Sequence, residues 1–349
     1  MRPTVDAIGS TRESALDHWG IGRFALGISV GGSSNTREWE SARSWVERAD
    51  RAGLHSVWMP EMHFAPGGNT SPLLSLAALA ARTRSIRLAT TSLLIPIHNP
   101  LRIAEEIASL DQLSRGRVII GLGRGFRAPL FSAFGIKPST KRQRFDIALD
   151  LILSAWKNED VSLEGTVFES TTGNLAPDAT TPYQSPHPPL AVAAFGPKGL
   201  AQAARRGLPY LASPIETFDQ IRDNLELHRT EMGDKASPGR WITPIMRTVF
   251  VSENASVCTR VMDALSSEGR PGGGTSAKLP AVVARAVSAP ASERVIVGGI
   301  EAVKERLAEY SNTLGMNLLV VRPQLPGTNE NERIASFEHL VGEVLPALS

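Results

Sequence analysis

Short apolar runs alternate along the chain with longer stretches in which apolar residues return every three or four positions. "RFALGISV" (23–30) is the first such run; behind a Gly/Ser turn follows "TREWESARSWVERADRAG" (36–53), where Trp39, Ala42, Val46 and Ala49 share one helical face. This predicts a strand followed by a helix, and the unit recurs. "LHSVWMPE" (54–61) precedes "SPLLSLAALAARTR" (71–84), with Ser71 as N-cap and Pro72 in the first turn. "SIRLATTSLLI" (85–95) precedes "NPLRIAEEIASLDQLSRG" (99–116), capped by Asn99 and stopped at Gly116, and "RVIIGLG" (117–123) precedes "TKRQRFDIALDLILSAWKNE" (140–159).

Residues 160–188 break the rhythm with Pro, Thr and Gly, and predict an excursion with a short hairpin around "EGTVFES". The units then resume: strands at 189–195, 208–213 and 243–252 lead to helices at 197–207, 215–233 and 254–269, and a last strand at 317–323 follows a helix at 299–315. Between the last two strands, residues 270–294 are rich in Gly, Pro, Ala and Ser and predict a mobile loop or lid. Eight apolar strands, most followed by helices, predict parallel α/β units with both sheet faces covered. The expected fold is a (β/α)8 TIM barrel with insertions after the fourth and seventh βα units. Residues 1–22 read as an N-terminal extension and 23–349 as a single barrel domain.

Charge narrows the function classes. With 37 Lys+Arg against 35 Asp+Glu, the 349-residue chain has a formal charge of +2 and no long like-charge block, which argues against a nucleic-acid surface and for small ligands. The lone Cys258 excludes an internal disulfide framework, and no metal-ligating spacing is seen. The first twenty residues lack an apolar core of the signal-peptide type, and "SPLLSLAALAA" (71–81) is too short to span a bilayer, so a soluble cytoplasmic protein is expected. Helix 71–84 is apolar nearly all round, as a homodimer interface or a helix packed by its barrel neighbours would be.

In such barrels, chemistry sits at the C-terminal ends of the strands. That places Glu61, His63, His98, Arg124 and Gly196 on one rim. His63 and His98 can give and take protons near neutral pH, while Glu61 reads as an anchor. "GLGRGF" (121–126) follows a strand but lacks G-x-G-x-x-G and lies in the fourth unit, which argues against a dinucleotide fold; its glycines, Gly123 among them, suit close approach to a flat ligand.

The segment "IHNPLRIAEEIASLDQLSRGRVIIGLGRGF" (97–126) resembles the luciferase-like family of flavin-dependent monooxygenases, whose signature runs "HPLRxAEExAxLDxLSxGRxxxGxGxG". The match takes in His98, Pro100, Arg102, Ala104, Glu105, Leu110, Asp111, Ser114, Gly116, Arg117, Gly121, Gly123 and Gly125; "WMPEMHF" and "VGGIEAVKERL" extend it over most of the chain from residue 23. The resemblance implies a barrel that uses reduced FMN, supplied by a separate NAD(P)H-dependent flavin reductase, and O2 to oxidise a small organic substrate through a flavin C4a-(hydro)peroxide. It implies a phosphate site at Arg124 and "FGPKG" (Phe195, Gly196, Gly199), with Arg142 as a further candidate, and a substrate pocket at Met62, Phe64 and Phe126. Asp111 and Arg117 of the signature can form a partly buried pair. In luciferases proper the second strand ends Glu-His-His-Phe; here Met62 replaces the first histidine, and a thioether cannot transfer a proton, so luciferase chemistry does not carry over whole. Two further functions remain open: hydride transfer with 8-hydroxy-5-deazaflavin, and flavin binding without turnover.

Overall fold

The computed structural model describes residues 15–31, 35–65, 67–168, 174–175, 180–233, 241–268 and 281–348. In chain order its elements are α1 (Ala15–Trp19), β1 (Ala25–Ser29), α2 (Thr36–Arg51), β2 (Ser56–Met59), α3 (Pro72–Ala80), β3 (Arg87–Leu93), α4 (Pro100–Ser114) and β4 (Val118–Leu122). Then come α5 (Ala128–Ala133), α6 (Lys141–Trp156), β5 (Val161–Ser162), β6 (Asn174–Leu175), β7 (Leu190–Ala193), α7 (Pro197–Arg205), β8 (Tyr210–Leu211) and α8 (Phe218–Met232). The chain ends with β9 (Pro244–Val251), α9 (Ala255–Ser267), α10 (Ala281–Ser288), β10 (Val295–Gly298), α11 (Ile300–Leu314), β11 (Leu318–Val321) and α12 (Glu330–His339).

The eight expected strands are β1, β2, β3, β4, β7, β8, β9 and β11, and they pair in parallel in that order. The ring closes through Ala212 and Ile245: Ala212 N donates to Pro244 O at 3.1 Å and Met246 N to Ala212 O at 3.1 Å. The expected α/β barrel is therefore observed. β10 is an additional strand. It pairs Val295 with Thr248 through Gly298 with Val251 along the outer half of β9, whose inner half carries β11. Sequence reading assigned the stretch before it to a mobile loop. Of that stretch, 270–280 lies outside the described residues, and 281–294 forms α10 and a 3-10 turn at Ala291–Glu293. After α6, β5 and β6 pair antiparallel, Val161 with Leu175; between them, residues 169–173 lie outside the described residues.

Strand alternation sorts side chains into two cores. Ala25, Trp58, Ala89, Ile119, Ala191, Leu211, Met246 and Leu318 fill the barrel, while Ile28, Val57, Leu88, Ile120 and Val192 face the helices. Trp58 dominates the inner layer, its indole N–H donating to Ser56 Oγ at 2.8 Å. Gly27 opposite leaves room: a Cβ there would lie 2.6 Å from Ser56 Oγ and 3.2 Å from Trp58 Nε1. Trp19 and Ile21, which sequence reading placed in an N-terminal extension, belong to this inner core.

Two local expectations are corrected. Asp111 and Arg117 do not pair: Asp111 accepts from Gln184 N and Nε2, each at 2.8 Å, while Arg117 donates to the carbonyls of Ala80, Ile86 and Ser114. The carboxylate is closed by amides and the guanidinium by backbone carbonyls left at helix and loop ends, so each is satisfied without the other. Ser71 makes no side-chain cap bond to α3, whereas Asn99 accepts from Leu101 N and Arg102 N at the start of α4.

Candidate active site

Glu61 stands two residues past the end of β2, after Pro60, with its side chain buried beneath the barrel mouth. Its Oε1 accepts from His63 Nε2 at 2.8 Å and from His98 Nε2 at 2.7 Å; its Oε2 accepts from Leu94 N at 2.6 Å. Burial alone would raise this carboxyl, but the bonds from His98, then His63 and Leu94 N, outweigh it and hold the group below its ordinary range. Because an ionised carboxylate only accepts, both rings donate through Nε2, leaving Nδ1 of each without a partner among the described residues. One buried anion thus fixes two imidazoles from different βα units, each with a nitrogen able to give or take a proton. The sequence placed His63 and His98 on one rim, but not on one oxygen.

Aromatic rings pack against His63, and a second aromatic pair lies among the rim residues. Phe134 lies edge-on to His63 at 5.1 Å between centroids and 5.9 Å from Phe64; Phe126 meets Phe195 edge-on at 6.4 Å. Met62, Phe64, Phe126 and Phe134 are four of the large apolar residues that the described surface exposes. Two aromatic groups, Phe64 with Phe134 beside His63 and Phe126 with Phe195, offer apolar surface of the kind a ligand can cover. Phe134 escaped sequence reading because it sits at the end of the short helix α5, where no motif points to it.

Arg124 leaves β4 and presses on the first turn of α7: a Cβ on Gly199 would lie 2.1 Å from Arg124 Nη2. α7 begins Gly196-Pro197 with no side-chain cap; Gly199 N and Leu200 N donate to Gly196 O, so what its first turn presents toward the guanidinium is the positive dipole end and the N–H of Lys198. Burial, then the charge of Arg142, depress the Arg124 guanidinium, with Asp146 partly opposing; Lys141 is lowered by burial, then by Arg124 and Arg142. No hydrogen bond or ion pair within the described residues engages the Arg124 side chain. Arg124 thus stands against the start of a helix without a side-chain cap, within reach of the charges of Arg142 and Lys141, an arrangement whose chemistry suits a dianion. Lys141 was missed in the sequence, standing next to the expected Arg142. Gly123 is also required by packing: a Cβ there would lie 1.9 Å from Ser92 Oγ, and one at Gly121 2.2 Å from Thr90 O. Those glycines let β4 approach β3, so strand packing explains them without a ligand.

Residues 29–316 match the family model described as luciferase-like monooxygenase. The chain belongs to this family. It is 27% identical over 324 residues to the oxygenase component of the flavin-dependent trigonelline monooxygenase of Acinetobacter baylyi, covering 86% of this chain and 87% of that protein. It is 35% identical over 216 residues to the F420-dependent glucose-6-phosphate dehydrogenase of Kineococcus radiotolerans, covering 58% and 60%. Matches to six curated relatives span 50% to 60% of their length. In three dimensions the chain resembles the oxygenating constituent of 3,6-diketocamphane monooxygenase from Pseudomonas putida in complex with FMN, with a TM-score of 0.74 at 20% identity over 93% of this chain and 98% of that one. This likeness supports the barrel fold of the luciferase-like chain. Among the described residues of this luciferase-like protein, no cluster of His, Cys, Asp and Glu could hold a metal ion, and no helix is long and apolar enough to cross a membrane.

Proposed function

We propose that this chain is the oxygenase of a flavin-dependent monooxygenase system, receiving reduced FMN from a separate NAD(P)H-dependent flavin reductase and oxidising a small organic substrate with O2. The supporting observation is the convergence of Arg124, Lys141, Arg142 and the start of α7 on the rim that also carries the Glu61 hub. When bound, reduced FMN supplies the oxygen-activating chemistry. The chain's own residues do the rest. The cationic cradle grips the phosphate, and Phe64, Phe126, Phe134 and Phe195 keep water from the mouth. His63 or His98 moves a proton at Nδ1, with Glu61 holding both rings in the donating tautomer at Nε2. Met62 contributes apolar cover and no proton.

Deazaflavin-dependent hydride transfer is the second reading, supported by relatives named as F420-dependent dehydrogenases. Single turnovers with reduced FMN under air, and with oxidised F420 in the absence of O2, each with a panel of substrates, separate the two. Oxygen incorporation with FMN supports the proposal. Substrate oxidation that needs F420 and no O2 overturns it in favour of the second reading, and binding of FMN without any substrate-dependent turnover favours a non-catalytic relative.

A further inference from the structure

A second cavity, of about 290 Å3, opens between Ser29 at the end of β1, Met246 and Arg247 of β9, Arg322 just past β11, Arg294 just before β10, and Glu268 just past α9. In the ring of strands, β9, β11 and β1 stand across from β4 and β7, the strands that present Arg124 and α7. The cavity therefore faces the phosphate cradle across the mouth rather than extending it. Its size sits at the small end of ligand sites, which run from roughly 300 to 1,000 Å3.

Its lining is cationic, and the cations are incompletely used. Arg247 is 1% exposed. Its Nε donates to the Tyr310 hydroxyl at 2.9 Å and its Nη1 to Ser213 O at 3.1 Å and Met246 O at 3.2 Å, while Nη2 has no acceptor. The neighbouring Glu216 feels the charge of Arg247 but makes no hydrogen bond to it among the described residues: its Oε1 accepts from the Tyr210 hydroxyl at 2.5 Å and Asn224 Nδ2 at 2.6 Å, and its Oε2 from Ser213 N at 2.7 Å. Arg294 and Arg322 each also bury an Nε without a partner. Arg322 grips Glu268 through both terminal nitrogens, Nη1 to Oε1 at 2.9 Å, and among the described residues Glu268 is the one carboxylate in the lining. Three guanidiniums thus line the cavity against one carboxylate, and a guanidinium cannot shed its charge to relieve the burial. A buried donor without an acceptor costs stability that only a ligand or water can return.

We propose that this cavity seats an anionic oxyacid group, carboxylate, sulfonate or phosphate, on the organic substrate, with Arg247 Nη2 and Arg294 as its donors and the Arg322–Glu268 pair at its edge. The proposal rests on the flavin reading, because it assigns the cradle across the mouth to the cofactor. A substrate held there by its charged end projects its remaining, apolar part past Met246 toward the mouth, where Thr91 Oγ1 contacts the Met246 sulfur at 2.9 Å.

The test is calorimetric titration of the FMN-saturated protein with benzoate, benzenesulfonate and the uncharged benzamide. Both anions are expected to bind about tenfold or more tightly than benzamide, Arg294→Met to weaken them about tenfold, the range of a charged hydrogen bond, and Arg322→Met, at the edge, to weaken them less. FMN affinity is expected to stay unchanged in both variants. Arg247→Met removes a buried brace as well as a donor, so the two half-buried arginines carry the test. Equal affinity for benzamide, or anion binding that ignores both substitutions, overturns the proposal; so does anion binding lost on Arg124→Met instead, which would place the anion in the cradle. Failure of FMN to bind would sink the flavin reading separately, because the same titration on flavin-free protein still reads this cavity.

Discussion

At the scale of single residues, Glu61 carries the most. Glu61→Gln leaves one accepting oxygen where the carboxylate has two, so it cannot serve both histidines and the Leu94 amide together. We expect turnover to fall about a hundredfold, the lower range of a lost acid–base arrangement, while flavin affinity is retained. The carboxyl is held below its ordinary value near 4.5, so the stability it contributes is present above that pH and lost as pH falls through the folded value. Acid titration of the wild type followed by near-ultraviolet circular dichroism is expected to show this loss, and Glu61→Gln to flatten it; an unaltered acid transition in the variant would count against the hub. Gly199→Ala addresses the cradle. Its methyl would sit 2.1 Å from Arg124 Nη2, so the guanidinium must swing away, and FMN affinity is expected to drop about tenfold, or about 1.4 kcal/mol, with the melting temperature little changed. Unchanged FMN affinity in that variant would detach Arg124 from the phosphate.

Much at this scale was legible. Arg124, Gly196 and Gly199 could be placed from their position after strands, because the ends of parallel strands necessarily share a rim. What could not be read was convergence at ångström scale. His98 reaches Glu61 across 37 residues of chain, and both histidines meet on one oxygen, a fact of side-chain geometry that no spacing encodes. Gly123 shows the same limit: its packing against Ser92 could not be told from ligand approach, because a glycine beside a ligand and a glycine beside a neighbouring strand look identical in one sequence.

At the scale of elements, the corner between β8 and α8 makes a pH prediction of opposite sign. Burial pushes the Glu216 carboxyl up to about 7, against the bonds from Tyr210 and Ser213 N and the charge of Arg247. Its folded value lies above the ordinary one near 4.5, so its contribution is full below that pH and is lost as pH rises through about 7. Thermal melts across this window are expected to show declining stability in the wild type and a shallower decline in Glu216→Gln. A wild-type melting temperature that rises over the same window would contradict the assignment. The strands themselves were legible because buried parallel strands read as continuous apolar runs. β10 was not, since "VIVG" is four residues long within a stretch rich in small residues and has only one strand partner, the outer half of β9.

At the scale of the molecule, the proposed roles share one mouth: proton handling by the histidine pair after β2 and β3, phosphate binding after β4 and β7, and the arginine-lined cavity at β9, β11 and β1. A homodimer is a further proposal at this scale. Leu74 is 73% exposed on the otherwise largely buried α3, and Leu113 of α4 is 72% exposed, so sedimentation is expected to show a dimer that Leu74→Lys weakens. A wild-type monomer at working concentration would remove that proposal and leave the barrel chemistry untouched. The central claim is that Arg124 and α7 hold the phosphate of a flavin. Equilibrium titration of the wild type and Arg124→Met with reduced FMN under anaerobic conditions tests it most directly: the account predicts saturable binding weakened about tenfold or more by the substitution. Equal affinity in the two proteins, or a wild type indifferent to FMN and to F420 alike, would contradict it.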